Sequence, residues 1–182
     1  PLRESHYLGG RFLAGVVVNA VLLLGVPSGL LLASVMPYMA AGKFGPMQLA
    51  AYAQTYLLVL LPNLVVIGAC MFAAAALTRQ ALATYIGGIA LYVLGTVAGT
   101  LTDGLTNQVL SALVDPFGGR AIALTTKYWT PVESNSRLIG WPNVLLQNRA
   151  LWLGVAVGIA ELLVARFRFA HPAGALRRRW WH

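Results

Sequence analysis

The chain has 182 residues, of which 58% are hydrophobic and only 10% charged, with a mean hydropathy of +0.71. A soluble domain is about one quarter charged, so this composition excludes an ordinary water-soluble fold. The net charge of +8 does not indicate a nucleic-acid reader, because so little polar surface cannot build a basic reading face; the excess reads as membrane topology and contact with lipid headgroups.

Four long apolar runs follow one another, Phe12–Met36, Leu49–Leu77, Ala81–Thr102 and Ala150–Phe167. A bilayer core about 30 Å thick needs about 20 apolar residues in a helix rising 1.5 Å per residue. The runs predict an all-α, polytopic bundle of four transmembrane helices. A polar segment, 1–11, precedes the bundle, a long loop, 103–149, separates the third and fourth helices, and a basic tail, 168–182, follows. The sequence begins at Pro1 and reads as a piece of a larger protein.

Within the first run, Pro27 removes a backbone donor and predicts a kink, as Pro62 does in the second. Both kinks read as packing features ahead of hinges. Small residues recur four apart at Gly25 and Gly29, Gly95 and Gly99, and Gly154 and Gly158, and helix two carries the strip Gly68, Ala69, Ala73, Ala76. Such spacing lets one face of each helix approach a neighbour closely. Polar groups inside the runs are few. Asn19 and Asn63 read as hydrogen-bonding glue between helices, and Gln54 accompanies them. Cys70, the only cysteine, excludes an internal disulfide and a cysteine metal site.

The loop of 103–149 is too long for a simple connector. Thr106–Val114 predicts a short helix, ended by Asp115-Pro116-Phe117-Gly118-Gly119. Trp129, Trp141 and Trp152, with Tyr128, Pro131 and Pro142, favour short helices dipping into the membrane interface over a soluble external domain. In the fourth run Glu161 is an ionisable residue at membrane depth and a functional candidate. Its nearness to Arg166 also fits snorkelling or pairing without function. The tail ends Arg177-Arg178-Arg179-Trp180-Trp181-His182, which fits a lipid anchor and equally a basic flank before a further segment.

The distribution of basic residues orients the bundle. Arg3, Arg11, Arg79, Arg166, Arg168, Arg177, Arg178 and Arg179 fall on one side, and Lys43, Arg120, Lys127, Arg137 and Arg149 on the other. The richer side is expected to be cytoplasmic, which puts both ends of the chain inside and Pro37–Gln48 and Asp103–Arg149 outside.

No catalytic set emerges. His6, His171 and His182 all lie outside the runs, no Ser–His or paired-Asp arrangement occupies a helix, and no zinc-binding motif appears. Gly42-Lys43 lacks the rest of a phosphate-binding loop. The expectation is a chain without enzymatic activity, cofactor or metal of its own.

The order of features resembles a known family. Leu2-Arg3-Glu4-Ser5-His6-Tyr7-Leu8-Gly9-Gly10-Arg11-Phe12-Leu13 is similar to the cytoplasmic stretch before the third membrane helix of ABC-2 type permeases, and the four runs then resemble helices three to six. Phe72-Ala73-Ala74-Ala75-Ala76-Leu77-Thr78-Arg79 resembles the family's inner turn, and the long loop falls where these permeases carry short helices. Asp115-Pro116-Phe117-Gly118, Tyr128-Trp129-Thr130-Pro131-Val132-Glu133-Ser134-Asn135 and Asn148-Arg149-Ala150-Leu151-Trp152-Leu153 resemble segments of large bacterial permeases, some of which carry an M1-type aminopeptidase domain elsewhere. The resemblance implies a bacterial inner-membrane exporter subunit that pairs with a second permease domain and is driven by a separate ABC ATPase. It also implies that Arg3, Glu4, His6 and Tyr7 form the element that meets that ATPase. The alternatives are a membrane anchor or scaffold for a larger peptidase-type protein, an ion-coupled carrier using Glu161, and an intramembrane hydrolase, the last disfavoured by the missing catalytic set.

Overall fold

The computed structural model describes residues 4–36, 47–103, 107–141 and 143–167. Arg3, the tail 168–182 and most of the loop from Pro37 to Gln48 lie outside them. Among the described residues helix is the only regular secondary structure. The elements are α1 (Glu4–Leu23), α2 (Gly25–Ser34), α3 (Leu49–Thr55), a π-helical turn (Tyr56–Leu60), α4 (Leu61–Thr78), α5 (Ala81–Asp103), α6 (Gln108–Val114), α7 (Gly119–Thr126), α8 (Pro131–Ser136) and α9 (Val144–Arg166).

Four stretches are long and apolar enough to cross a membrane: Glu4–Ser34, Leu49–Thr78, Ala81–Leu101 and Val144–Arg166. The first two are interrupted where proline lies. Pro27 cannot donate a helical N–H, and the break between α1 and α2 falls at Leu24, one turn earlier. Pro62 follows the π turn, in which the Leu61 N–H reaches back to the Tyr56 carbonyl. The two interruptions adjoin, because the Tyr56 hydroxyl donates to the Ala20 carbonyl at 2.6 Å.

α4 is the axis of the bundle. It packs most extensively on α9, then on α5, and α1 leans on it from another side. Small side chains make this possible. Ala73 meets Leu8 and Leu163 in one apolar cluster, with Tyr7, Phe72, Ala76 and Phe167 around it. Val66 and Ala69 meet Ala156 in the next cluster, flanked by Phe12 and Trp152. A third cluster, Ala112, Ala121 and Leu145, joins α6 and α7 to the start of α9. The first cluster marks the basic end of the bundle, near Glu4, Arg79 and Arg166, and the third marks the opposite, hairpin end. No residue in the apolar windows of the first span and of α5 is fully buried within the chain, which suits a lipid solvent.

Two boundaries differ from the expectation. The coupling segment expected over 1–11 is helical from Glu4 and continuous with the first span, and its Leu8 is buried against α4 and α9. The last long helix begins at Val144, not Ala150. Asn143 caps it by accepting from the Leu146 N–H at 2.9 Å, and the polar Gln147-Asn148-Arg149 that interrupts the hydropathy is helical.

Candidate functional site

The richest polar cluster lies at the hairpin end, where α6 and α7 fold back against the long helices. Their connection is Asp115-Pro116-Phe117-Gly118. Asp115 organises it: one carboxylate oxygen accepts from the Phe117 N–H and the other from the Arg120 N–H, both at 2.9 Å. The second bond satisfies one of the orphan donors at the start of α7. Gly118 supplies the reversal with φ +77, a left-handed conformation natural to glycine.

The turn points back along α5. A Cβ on Gly95 would meet the Phe117 ring at 2.9 Å, and one on Gly99 would meet the Arg120 guanidinium at 2.6 Å. The tip therefore sits about 12 Å short of the end of α5, at 1.5 Å per residue. The Gly95 and Gly99 spacing does mark a close approach, but the neighbour is this turn and not a parallel helix.

Ending α6 inside a bundle leaves carbonyls that need donors, and α9 supplies them. Asn148 is fully buried, and its Nδ2 donates to the carbonyls of Ala112 at 2.7 Å and Asp115 at 2.8 Å, with Leu113 at 3.2 Å. Trp152 Nε1 donates to the Leu113 carbonyl at 3.0 Å. Arg149, only 3% exposed, donates from Nε to Asn148 Oδ1 at 2.9 Å, from Nη1 to Asn63 Oδ1 at 2.6 Å and from Nη2 to the Asn148 oxygen and the Pro116 carbonyl. Asn63 in turn donates to the Phe117 carbonyl at 3.1 Å. Arg120 Nη1 donates to Ser111 Oγ at 2.7 Å. Among the described residues no buried side-chain N or O lacks a partner. The network is closed: it clamps the hairpin and presents no open ligand.

Further out, Gln54 pairs with a backbone as a strand would, donating to the Ile139 carbonyl at 2.8 Å and accepting its N–H at 3.0 Å. Gln48 donates to the Ser136 carbonyl at 3.0 Å. Gln54 ties the strap after α8 to α3, and Gln48, just before α3, ties the end of α8 to it.

The remaining candidates lie apart from this network. Glu4, His6 and Tyr7 occupy the first turns of α1 at the basic end, with His6 exposed and Tyr7 half-buried; Arg3 lies outside the described residues. Glu161 is exposed on α9, and among the described residues no cation pairs with it at contact distance. Asn19 is exposed on α1 and donates to the Gly15 carbonyl at 2.9 Å. A Cβ added at Gly25, Gly29, Gly154 or Gly158 would meet nothing within 4 Å, so those pairs mark no close helix contact within the chain. No group of three or more His, Cys, Asp or Glu among the described residues could hold a metal ion.

Asn63 was legible as a hydrogen-bonding residue. Asn148, Arg149, Arg120 and the role of Asp115 were not. The available signal was the triplet Gln147-Asn148-Arg149 directly before an apolar run, with Asn143 ahead of it as a helix start.

The architecture is an all-α bundle with four helices long and apolar enough to span a membrane and a helical hairpin folded onto one end, compatible with a multi-pass membrane protein. No family model, curated protein or solved structure matches the chain.

Proposed function

We propose that the chain is the membrane-spanning part of an ABC-2 type permease in the bacterial inner membrane. It pairs with a second permease domain, is driven by a separate ATPase and exports its substrate, and its basic end faces the cytoplasm. The observation that carries this reading is the continuity of α1. Glu4, His6 and Tyr7 belong to the helix that continues into the first span, and Leu8, in the next position, is seated between Ala73 of α4 and Leu163 of α9. A load applied to the exposed first turns by a closing ATPase passes directly into the two central helices, because packed interiors transmit displacement and do not absorb it. The re-entrant hairpin fits the same reading as a rigid cap at the far end. Binding energy from ATP would then shift the bundle between two packings.

The test uses the intact protein reconstituted in vesicles with its ATPase. Replacing Arg3 and Glu4 with Ala is expected to leave ATP hydrolysis running while transport falls, and unchanged coupling would overturn the reading. Affinity capture of the intact protein is expected to bring down an ATPase subunit. Transport that persists without any ATPase would favour a carrier working through Glu161, and neither transport nor an ATPase would favour a scaffold.

A further inference from the structure

We propose that the groove between α1, α4 and α5 is a phospholipid site, with the phosphate at Arg11 and one acyl chain lying along Gly15 and Gly68 toward Asn19. The groove holds about 280 Å³. Arg11, Gly15 and Asn19 recur every four residues and so share one face of α1, and all three line the groove. Gly68, Met71 and Ala75 form its floor on α4, and Thr84 closes it from α5. The glycines give it depth: a Cβ on Gly15 would meet nothing within 4 Å, and one on Gly68 would meet only the edge of Phe12 at 3.5 Å.

The polarity of the groove matches a phospholipid. Its cation lies at one end, and no acidic side chain lines it among the described residues. Arg11 lies about two turns into α1, and its end of the groove, with Ala75 and Thr84, is the one nearer the turn at Arg79 and Gln80 that joins α4 to α5. Tyr7 pre-orders the guanidinium: Arg11 Nη1 donates to the Tyr7 hydroxyl at 2.7 Å, and its Cζ lies 5.5 Å from the ring centroid. A guanidinium has five N–H donors in a planar fork suited to phosphate oxygens. From Arg11 to Asn19 the groove runs about 12 Å along the helix and is otherwise apolar.

The groove is open along its length and carries its one cation at one end of otherwise apolar walls, the charge pattern of a phospholipid with its phosphate at that end and a chain along the walls.

The site does not depend on the permease reading, because retention is measured without ATPase or transport. The intact protein is reconstituted in phosphatidylcholine vesicles containing a minor fraction of phosphatidylglycerol, extracted in mild detergent and weighed by native mass spectrometry. The expected result is one phospholipid retained per chain, enriched in phosphatidylglycerol over its share of the vesicle. Gly15→Leu fills the groove from a position with open space and is expected to abolish retention. Arg11→Gln, at an exposed residue that leaves the fold intact, is expected to lower the enrichment about tenfold, the loss of one charge-assisted contact. A wild-type protein that retains no lipid, or variants that retain it as wild type does, would overturn the proposal. So would a lipid-free dimer lost in Gly15→Leu, which would assign the groove to a second copy.

Discussion

Arg149 Nη1 donates to Asn63 Oδ1 at 2.6 Å, joining the first turns of α9 to the first turn of α4 across 86 positions of sequence. The same Asn63 passes the connection on to the Phe117 carbonyl, and the same Arg149 holds the oxygen of Asn148, whose amide grips the end of α6. One guanidinium thus organises two long helices and the hairpin. A buried cation is costly unless its donors are all used, and here Nε, Nη1 and Nη2 each have an acceptor on a different part of the network or share one.

Removing the guanidinium should therefore loosen the hairpin end as a unit. Arg149→Leu leaves the Asn63 and Asn148 oxygens without their donor, at a cost of about 3 kcal/mol. Thermal unfolding of the intact protein in mild detergent measures it. Arg149→Lys is expected to recover little, because a point charge cannot serve acceptors at three positions of a fork. In a double-mutant cycle, Asn63→Leu and Arg149→Leu should couple by about 1 kcal/mol or more, whereas additive losses would show that the contact contributes nothing specific.

The turn makes a sharper demand. Gly118 has φ +77, and a Cβ there would run into the Arg149 guanidinium. Gly118→Ala is expected to cost about 1–2 kcal/mol from the left-handed backbone alone, and more through displacement of Arg149. Gly119→Ala is the paired control, since its Cβ would meet only Asp115 Oδ2 at an ordinary 3.6 Å. Equal melting temperatures for the two variants would contradict this account.

The membrane helices were legible because lipid removes alternatives: a long apolar run can satisfy its backbone only as a helix. Pro27 and Pro62 likewise announced the interruptions near Leu24 and at Tyr56–Leu60, since a missing N–H acts locally. The helix starts at Glu4 and Val144 were hidden for one shared reason. Hydropathy averages over Glu4–His6 and Gln147–Arg149, whereas in the folded chain Leu8 packs the first turns of α1 against Ala73 and Leu163, and Asn148 and Arg149 bond to groups far away in sequence. The Gly95 and Gly99 spacing revealed a close approach without revealing its partner. Phe117 and Arg120 arrive there only because Asp115 turns the chain, and that fact belongs to three dimensions.

The strap after α8 offers a prediction about local opening. Gln54 makes both of its bonds to the Ile139 backbone, so Gln54→Leu deletes two contacts worth about 1 kcal/mol each. Arg137 lies just ahead of Ile139 with an exposed side chain. Cleavage after Arg137 by limiting trypsin is expected to accelerate about thirtyfold, since cutting follows the population of the opened segment. The global melting temperature should move far less, because among the described residues Ile139 is the strap's one side chain packed against an apolar cluster and Gln54→Leu does not remove it.

At α8 the same logic acquires a pH dependence. Glu133 closes a capping box, accepting from the Thr130 N–H at 2.9 Å and the Thr130 hydroxyl at 3.0 Å, while Thr130 Oγ1 accepts the Glu133 N–H at 3.3 Å. The Thr130 backbone bond, then its hydroxyl, hold the Glu133 carboxyl below its ordinary range, and Arg137 at 3.4 Å acts in the same direction. A depressed folded-state value means that the carboxylate stabilises the turn above the unfolded pKa, and that this contribution is lost as pH falls through the lower folded value. Amide-exchange protection at Thr130 should accordingly be constant near neutrality and decline only in acid, at a pH below that of an unperturbed glutamate. Glu133→Gln keeps an acceptor for the Thr130 N–H but has no proton to gain. Its protection should be lower near neutrality and flat across the acid range, and an acid decline that survived in this variant would place the titrating group elsewhere.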